Sequence, residues 1–96
     1  MSGGKYLVMS NGYCGEYAVV FNETESHDKM AQKLGGKEFV LGAGEVSVGE
    51  TPKGRYVTCF GKSTSTTLKI PSRGRKDAFF VSFAVFGTTS DVDLGA

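Results

Sequence analysis

The sequence has no tryptophan, one histidine, two cysteines and two prolines in 96 residues. Each scarcity removes a class of protein. Cys14 and Cys59 can form one bridge at most, so there is no disulfide framework. With a single histidine they are too few for a closed zinc site, and no carboxylate cluster is present to hold magnesium. No metal and no cofactor are therefore expected. The start, Met1 to Gly12, lacks a basic and then apolar leader, and the longest apolar run, Ala78 to Phe86, is far short of the ~20 residues that cross a bilayer. These absences predict a cytoplasmic protein with reduced thiols and no membrane partner. Prolines are few but glycines number fourteen, which favours many tight turns over a disordered tract.

Ninety-six residues make one domain with one core. Net charge is +1, so total charge selects no partner. Its distribution is uneven. Residues 51–76 carry Lys53, Arg55, Lys62, Lys69, Arg73, Arg75 and Lys76 and no acid, whereas the first fifty residues carry seven acids and four bases.

Patterning along the chain predicts an α/β domain: a mixed sheet of five to six strands with one clear helix and room for a second short one. Lys5–Met9 and Glu16–Phe21 read as strands separated by the Ser10-Asn11-Gly12 turn. A helix follows, capped by Asn22 or Thr24, with Met30, Ala31 and Leu34 as its apolar stripe and Gly35-Gly36 as its stop. Glu38–Leu41 and Glu45–Val48 read as two strand pieces joined through Gly42-Ala43-Gly44. Glycines there imply a bulge or a close approach to the backbone. Gly49–Gly54 is a hairpin turn, Arg55–Phe60 the returning strand and Leu68–Ile70 a short one. Ala78–Phe86 alternates Phe79, Val81, Phe83 and Val85 against Phe80, Ser82, Ala84 and Phe86, and reads as a further strand. Residues 88–96 are expected to fray.

Two nucleotide motifs fail. Gly61-Lys62-Ser63 imitates the end of a P-loop, but Tyr56 stands where the first glycine belongs. Gly42-Ala43-Gly44 lacks the third glycine of a dinucleotide fingerprint.

The only histidine, His27, falls in the first turn of the predicted helix. The partially positive helix end disfavours imidazolium and predicts a neutral ring near pH 7. A lone histidine beside an apolar stripe is more often structural than catalytic. A neutral ring at an amide-rich helix start nevertheless suits phosphate chemistry.

Several pieces, taken in order, resemble the Janus/ocnus family, which includes the protein histidine phosphatases. Lys5-Tyr6-Leu7-Val8 is similar to its opening lysine-bearing strand, and His27-Asp28-Lys29-Met30 to the segment where its catalytic histidine leads into a helix. Leu41-Gly42-Ala43-Gly44-Glu45-Val46-Ser47 resembles its Leu-Gly-Gly-Gly-Arg-Ile-Ser turn, with Glu45 where the family carries arginine. Phe60-Gly61-Lys62-Ser63-Thr64-Ser65 resembles its phosphate loop. The resemblance implies hydrolysis of phosphohistidine, or of a related phosphoramidate, without metal. It assigns His27 as general base or nucleophile. Phosphate contacts would come from Lys5, the amide of Asp28, the bare backbone at Gly42 and Gly44, and the amides and hydroxyls of Ser63, Thr64 and Ser65. The implied partner is a phosphorylated protein or a small phosphoramidate.

Two other readings stand beside this one. A non-catalytic relative would bind phosphate or a phosphoprotein, and Glu45 favours that. A basic-faced nucleic-acid-binding domain would use residues 51–76, with Tyr56 and Phe60 to stack on bases; the small net charge and the lack of a recognised signature weigh against it.

Overall fold

A computed structural model describes residues 2–12, 15–63 and 68–95. Its elements are β1 (Ser2–Ser10), β2 (Glu16–Phe21), α1 (His27–Lys33), β3 (Val40–Thr51), β4 (Gly54–Phe60), α2 (Arg75–Phe86) and β5 (Val92–Asp93), with a single 3₁₀ turn at Lys37–Phe39 before β3. The five strands form one sheet in the order β2-β1-β3-β4-β5. All neighbours are antiparallel except β4 and β5, which run parallel and make the sheet mixed. The expected α/β domain is what forms.

β1 lies inside the sheet and is apolar on both faces, as its sequence implies. Its alternation builds two cores. Tyr6 and Val8 join Val46, Val48, Val57 and Cys59 under Ala78 and Val81 of α2. Leu7 and Met9 join Phe21, Val40, Ala43 and Leu68 under Ala31 of α1. The sheet is thus a middle layer with one helix on each face.

Four sequence expectations change. Ala78–Phe86 is helix, not strand. Both faces of the segment are apolar, so alternation could not separate a strand from a buried helix, and the ends decide. Asp77, in the first turn of α2, reaches back and accepts the backbone N–H of Arg73 at 2.8 Å, in the manner of a capping box. At the other end Gly87 takes the left-handed conformation, and its N–H donates to the Phe83 carbonyl. Second, Val40 to Val48 runs as one continuous strand through Gly42-Ala43-Gly44, and Glu38 and Phe39, expected as strand, lie in the 3₁₀ turn before it. The register shift falls between Val8 and Met9, which pair with Gly42 and Val40, so Leu41 is the extra residue. Third, Leu68–Ile70 is not strand; Ile70 only accepts the N–H of Ser63, and Lys62 forms a lone bridge with Pro71. Fourth, the tail expected to fray returns to the sheet as β5.

Gly42 is a site of close approach. A Cβ there would lie 2.6 Å from Oδ1 and 2.7 Å from Cγ of Asp77. Asp77 has no exposed surface and is held by Tyr6 Oη at 2.5 Å and by Arg73 Nε at 2.6 Å, while Arg73 also binds Glu16 at 2.8 Å. A buried carboxylate is tolerated only when its charge is paired and its oxygens are hydrogen-bonded, and this one is. The cluster fixes the start of α2 to β1 and β2 across the bare position on β3. Burial, followed by the hydrogen bond to Asp77, drives the Tyr6 phenol far above its ordinary range.

Gly42→Ala is therefore expected to cost at least ~1–3 kcal/mol by overpacking. In an Asp77→Ala background the same substitution should cost much less. Urea unfolding of the four proteins checks this; equal costs in both backgrounds would show that the bare position does not serve the acid.

Candidate functional site

The site is built where α1 begins. Asn22 does not cap the helix; its side chain accepts the N–H of Thr24 in a local turn. Ser26 takes the N-cap position without a side-chain cap bond, so His27 is the first helical residue. The ring of His27 has no exposed surface and packs edge-on to Phe21, with centroids 5.5 Å apart. Its Nε2 lies 2.9 Å from the carbonyl oxygen of Gly44. A carbonyl only accepts, so Nε2 carries the proton and Nδ1 holds the lone pair. Nδ1 is buried and has no hydrogen-bond partner among the described residues; the same is true of the neighbouring Ser26 Oγ.

The ring's pKa is lowered, but not chiefly for the reason the sequence suggested. Burial is the first cause; the nearby positive charge of Lys5 adds to it, and the Gly44 carbonyl, Glu45 and Asp28 oppose it. A seven-residue helix contributes little dipole, so desolvation explains the neutral ring.

Lys5 is at the site. Its Nζ donates to the Glu25 carbonyl at 2.9 Å, just before α1, and its backbone pairs with Glu45. Gly44 is a second meeting point. A Cβ on it would collide with the carbonyl oxygen of Phe60 and lie 3.4 Å from the N of Lys62. The chain leaving β4 thus passes against the same residue whose carbonyl holds His27. Ser63 follows, buried, its N–H donating to Ile70. Thr64 and Ser65 lie outside the described residues. Asp28 stands beside His27, but its carboxylate accepts the N–H of Lys29 and so brings negative charge to the helix start.

The structure thus gathers Lys5, His27, Asp28 and Gly44, with the chain approaching Ser63 on the last. Gly42 is separate, because its open side is filled by Asp77. Sequence reasoning missed Phe21 and Ser26, and placed Glu45 near the site without its partner. The carboxylate of Glu45 lies 3.7 Å from where a Cβ on Gly61 would stand, over the turn leading to Ser63. It also missed the Asp77 cluster, whose one visible signal is an acid directly after a basic run. Among the described residues no group of three or more His, Cys, Asp or Glu is arranged to hold a metal ion. Cys59 is a buried free thiol pushed up to about 12, first by burial and then by the Asp77 charge, and is poorly nucleophilic. No helix among the described residues is long and apolar enough to cross a membrane.

Comparison with protein-family models, curated proteins and solved structures finds no match to this chain.

A lowered folded pKa makes His27 a source of acid lability. Below its ordinary value of 6.5 the unfolded chain takes up a proton that the folded ring resists. Stability from this group is complete above that value and falls as pH drops from it toward the lower folded pKa. His27→Gln should flatten this dependence in urea unfolding between pH 7.5 and 5, expressed as the difference from wild type. An unchanged slope would show that the ring titrates alike in both states.

Proposed function

We propose that this chain is a metal-independent hydrolase of phosphohistidine or a related phosphoramidate, with His27 as the nucleophile. The observation that carries the reading is a buried neutral imidazole with Nε2–H held by the Gly44 carbonyl and a lone pair left on Nδ1. That is the state a nucleophilic or basic histidine needs, and a fixed backbone acceptor is the usual means of selecting it.

The steps balance without a cofactor. Nδ1 attacks phosphorus, an N–P bond forms, and the N–P bond to the substrate imidazole breaks. The departing nitrogen takes a proton from solvent. Water then attacks the phosphoryl group on His27, releasing inorganic phosphate and returning the ring to its neutral form. The Gly44 carbonyl supports the positive charge that the ring gains during attack, and Lys5 offsets the charge on phosphate. Because the ring is fully covered, turnover requires the start of α1 and the Phe21 edge to part. A cytoplasmic setting suits this chemistry.

A second reading has its own observation. Glu45 carries negative charge over the Gly61 turn and opposes an incoming phosphate, which favours a protein that binds a phosphorylated partner without turnover. Nothing comparable favours nucleic acid. Arg73 is held between Glu16 and Asp77, Arg75 donates to the Gly95 carbonyl, and the ring of Tyr56 lies across Gly49.

Wild-type protein should release phosphate from a phosphohistidine peptide, and His27→Ala should slow this by about 10²-fold or more with the fold retained by circular dichroism. Alkaline quenching should trap an acid-labile phosphoryl group on residue 27. Equal rates for the two proteins would remove His27 from the reaction. Peptide binding without release would select the second reading.

Glu45→Arg tests the charge separately. It should tighten phosphate binding by about 5-fold or more, less so at high salt. Unchanged affinity would show that the carboxylate does not oppose the anion.

A further inference from the structure

α2 is apolar on both sides. Ala78 and Val81 face the sheet, while Phe79, Phe83 and Val85 are 41%, 49% and 41% exposed. The rings of Phe79 and Phe83 meet edge to face, 5.2 Å apart. A helix apolar all round is ordinarily covered on all sides, and no described element covers the outside of this one. Beside it, β2 ends the sheet, and no described strand pairs with its outer side. Every second residue of such an edge directs its N–H and C=O away from β1. β2 lacks two of the usual protections: its sequence, Glu16-Tyr17-Ala18-Val19-Val20-Phe21, contains no lysine and no proline. Tyr17 and Val20 are 39% and 38% exposed. A groove of about 370 Å³, lined by Glu16, Tyr17, Ala18, Phe80, Phe83 and Ala84, joins the edge to the outer face of α2. Open backbone and open phenylalanines therefore form one surface.

We propose that this surface binds a second copy of the chain, with β2 pairing antiparallel to its counterpart across a two-fold axis and Phe79 and Phe83 packing on the same residues of the partner copy. The edge requires a strand, and the flanking surfaces require apolar side chains on both faces of it. β2 meets both requirements. Its one charge, Glu16, stands at the end of the strand and is already bound to Arg73. Antiparallel pairing centred on Ala18 sets each Glu16 opposite the Val20 of the other copy, so no like charges face each other. The contact is isologous and closes on itself. The far edge is only the two-residue β5, which favours a dimer over a growing fibre.

Sedimentation equilibrium over about two decades of protein concentration tests this. Wild type should approach twice 10.2 kDa. Val20→Lys and Phe83→Glu, each at an exposed position, should both raise the dimer dissociation constant by about tenfold or more while keeping the circular dichroism of wild type. Hydrogen exchange supplies a readout that does not need the variants: amides of β2 should be more protected at high than at low concentration. A monomer throughout, a dimer indifferent to both substitutions, or association without added protection in β2 would each overturn the proposal.

Discussion

Two of the three glycines on β3, Gly42 and Gly44, leave room on which the architecture depends. At Gly42 the missing Cβ makes room for the buried carboxylate of Asp77. At Gly44 it lets the chain leaving β4 pass against the strand. The first vacancy holds α2 in place through a charge cluster reaching Tyr6, Arg73 and Glu16. The second brings the chain toward Ser63 up to the residue whose carbonyl orients His27. A methyl group at either position would push on atoms that are themselves tightly held, so neither site can absorb one by a small shift.

The histidine owes its state to packing more than to its place in a helix. Desolvation lowers its proton affinity, and the Gly44 carbonyl and the acids on either side pull the other way. What survives is a neutral ring with a defined tautomer. Charge around it is mixed, with Lys5 on one strand and Glu45 directly across from it on the next. This mixture is why a hydrolytic reading and a binding reading lead to different expectations for the same few residues.

Local pattern revealed much of the fold. β1, β2, β4 and the helix at His27 follow from alternation, turn residues and an apolar stripe. α2 escaped because a segment apolar on both faces carries no period to read; Asp77 and Gly87 decided its state from its ends. β5 escaped because two residues of pairing leave almost no sequence trace. At the site, Lys5, His27 and Gly44 were legible as residue types, but their partners were not. That Gly42 serves an acid 35 positions later, and that the Gly44 carbonyl takes a ring proton, are facts of three-dimensional proximity. The two open apolar surfaces were hidden for the same reason, since only folding shows that β2 lies at an edge beside the uncovered side of α2.

The central claim is that the backbone of Gly44 fixes which nitrogen of His27 is free. Nitrogen-15 NMR of the ring-labelled protein near neutral pH reads this directly. The account predicts a neutral ring protonated at Nε2, with Nδ1 bearing the lone pair. A ring protonated at Nδ1, or one exchanging between tautomers as a free imidazole does, would contradict it.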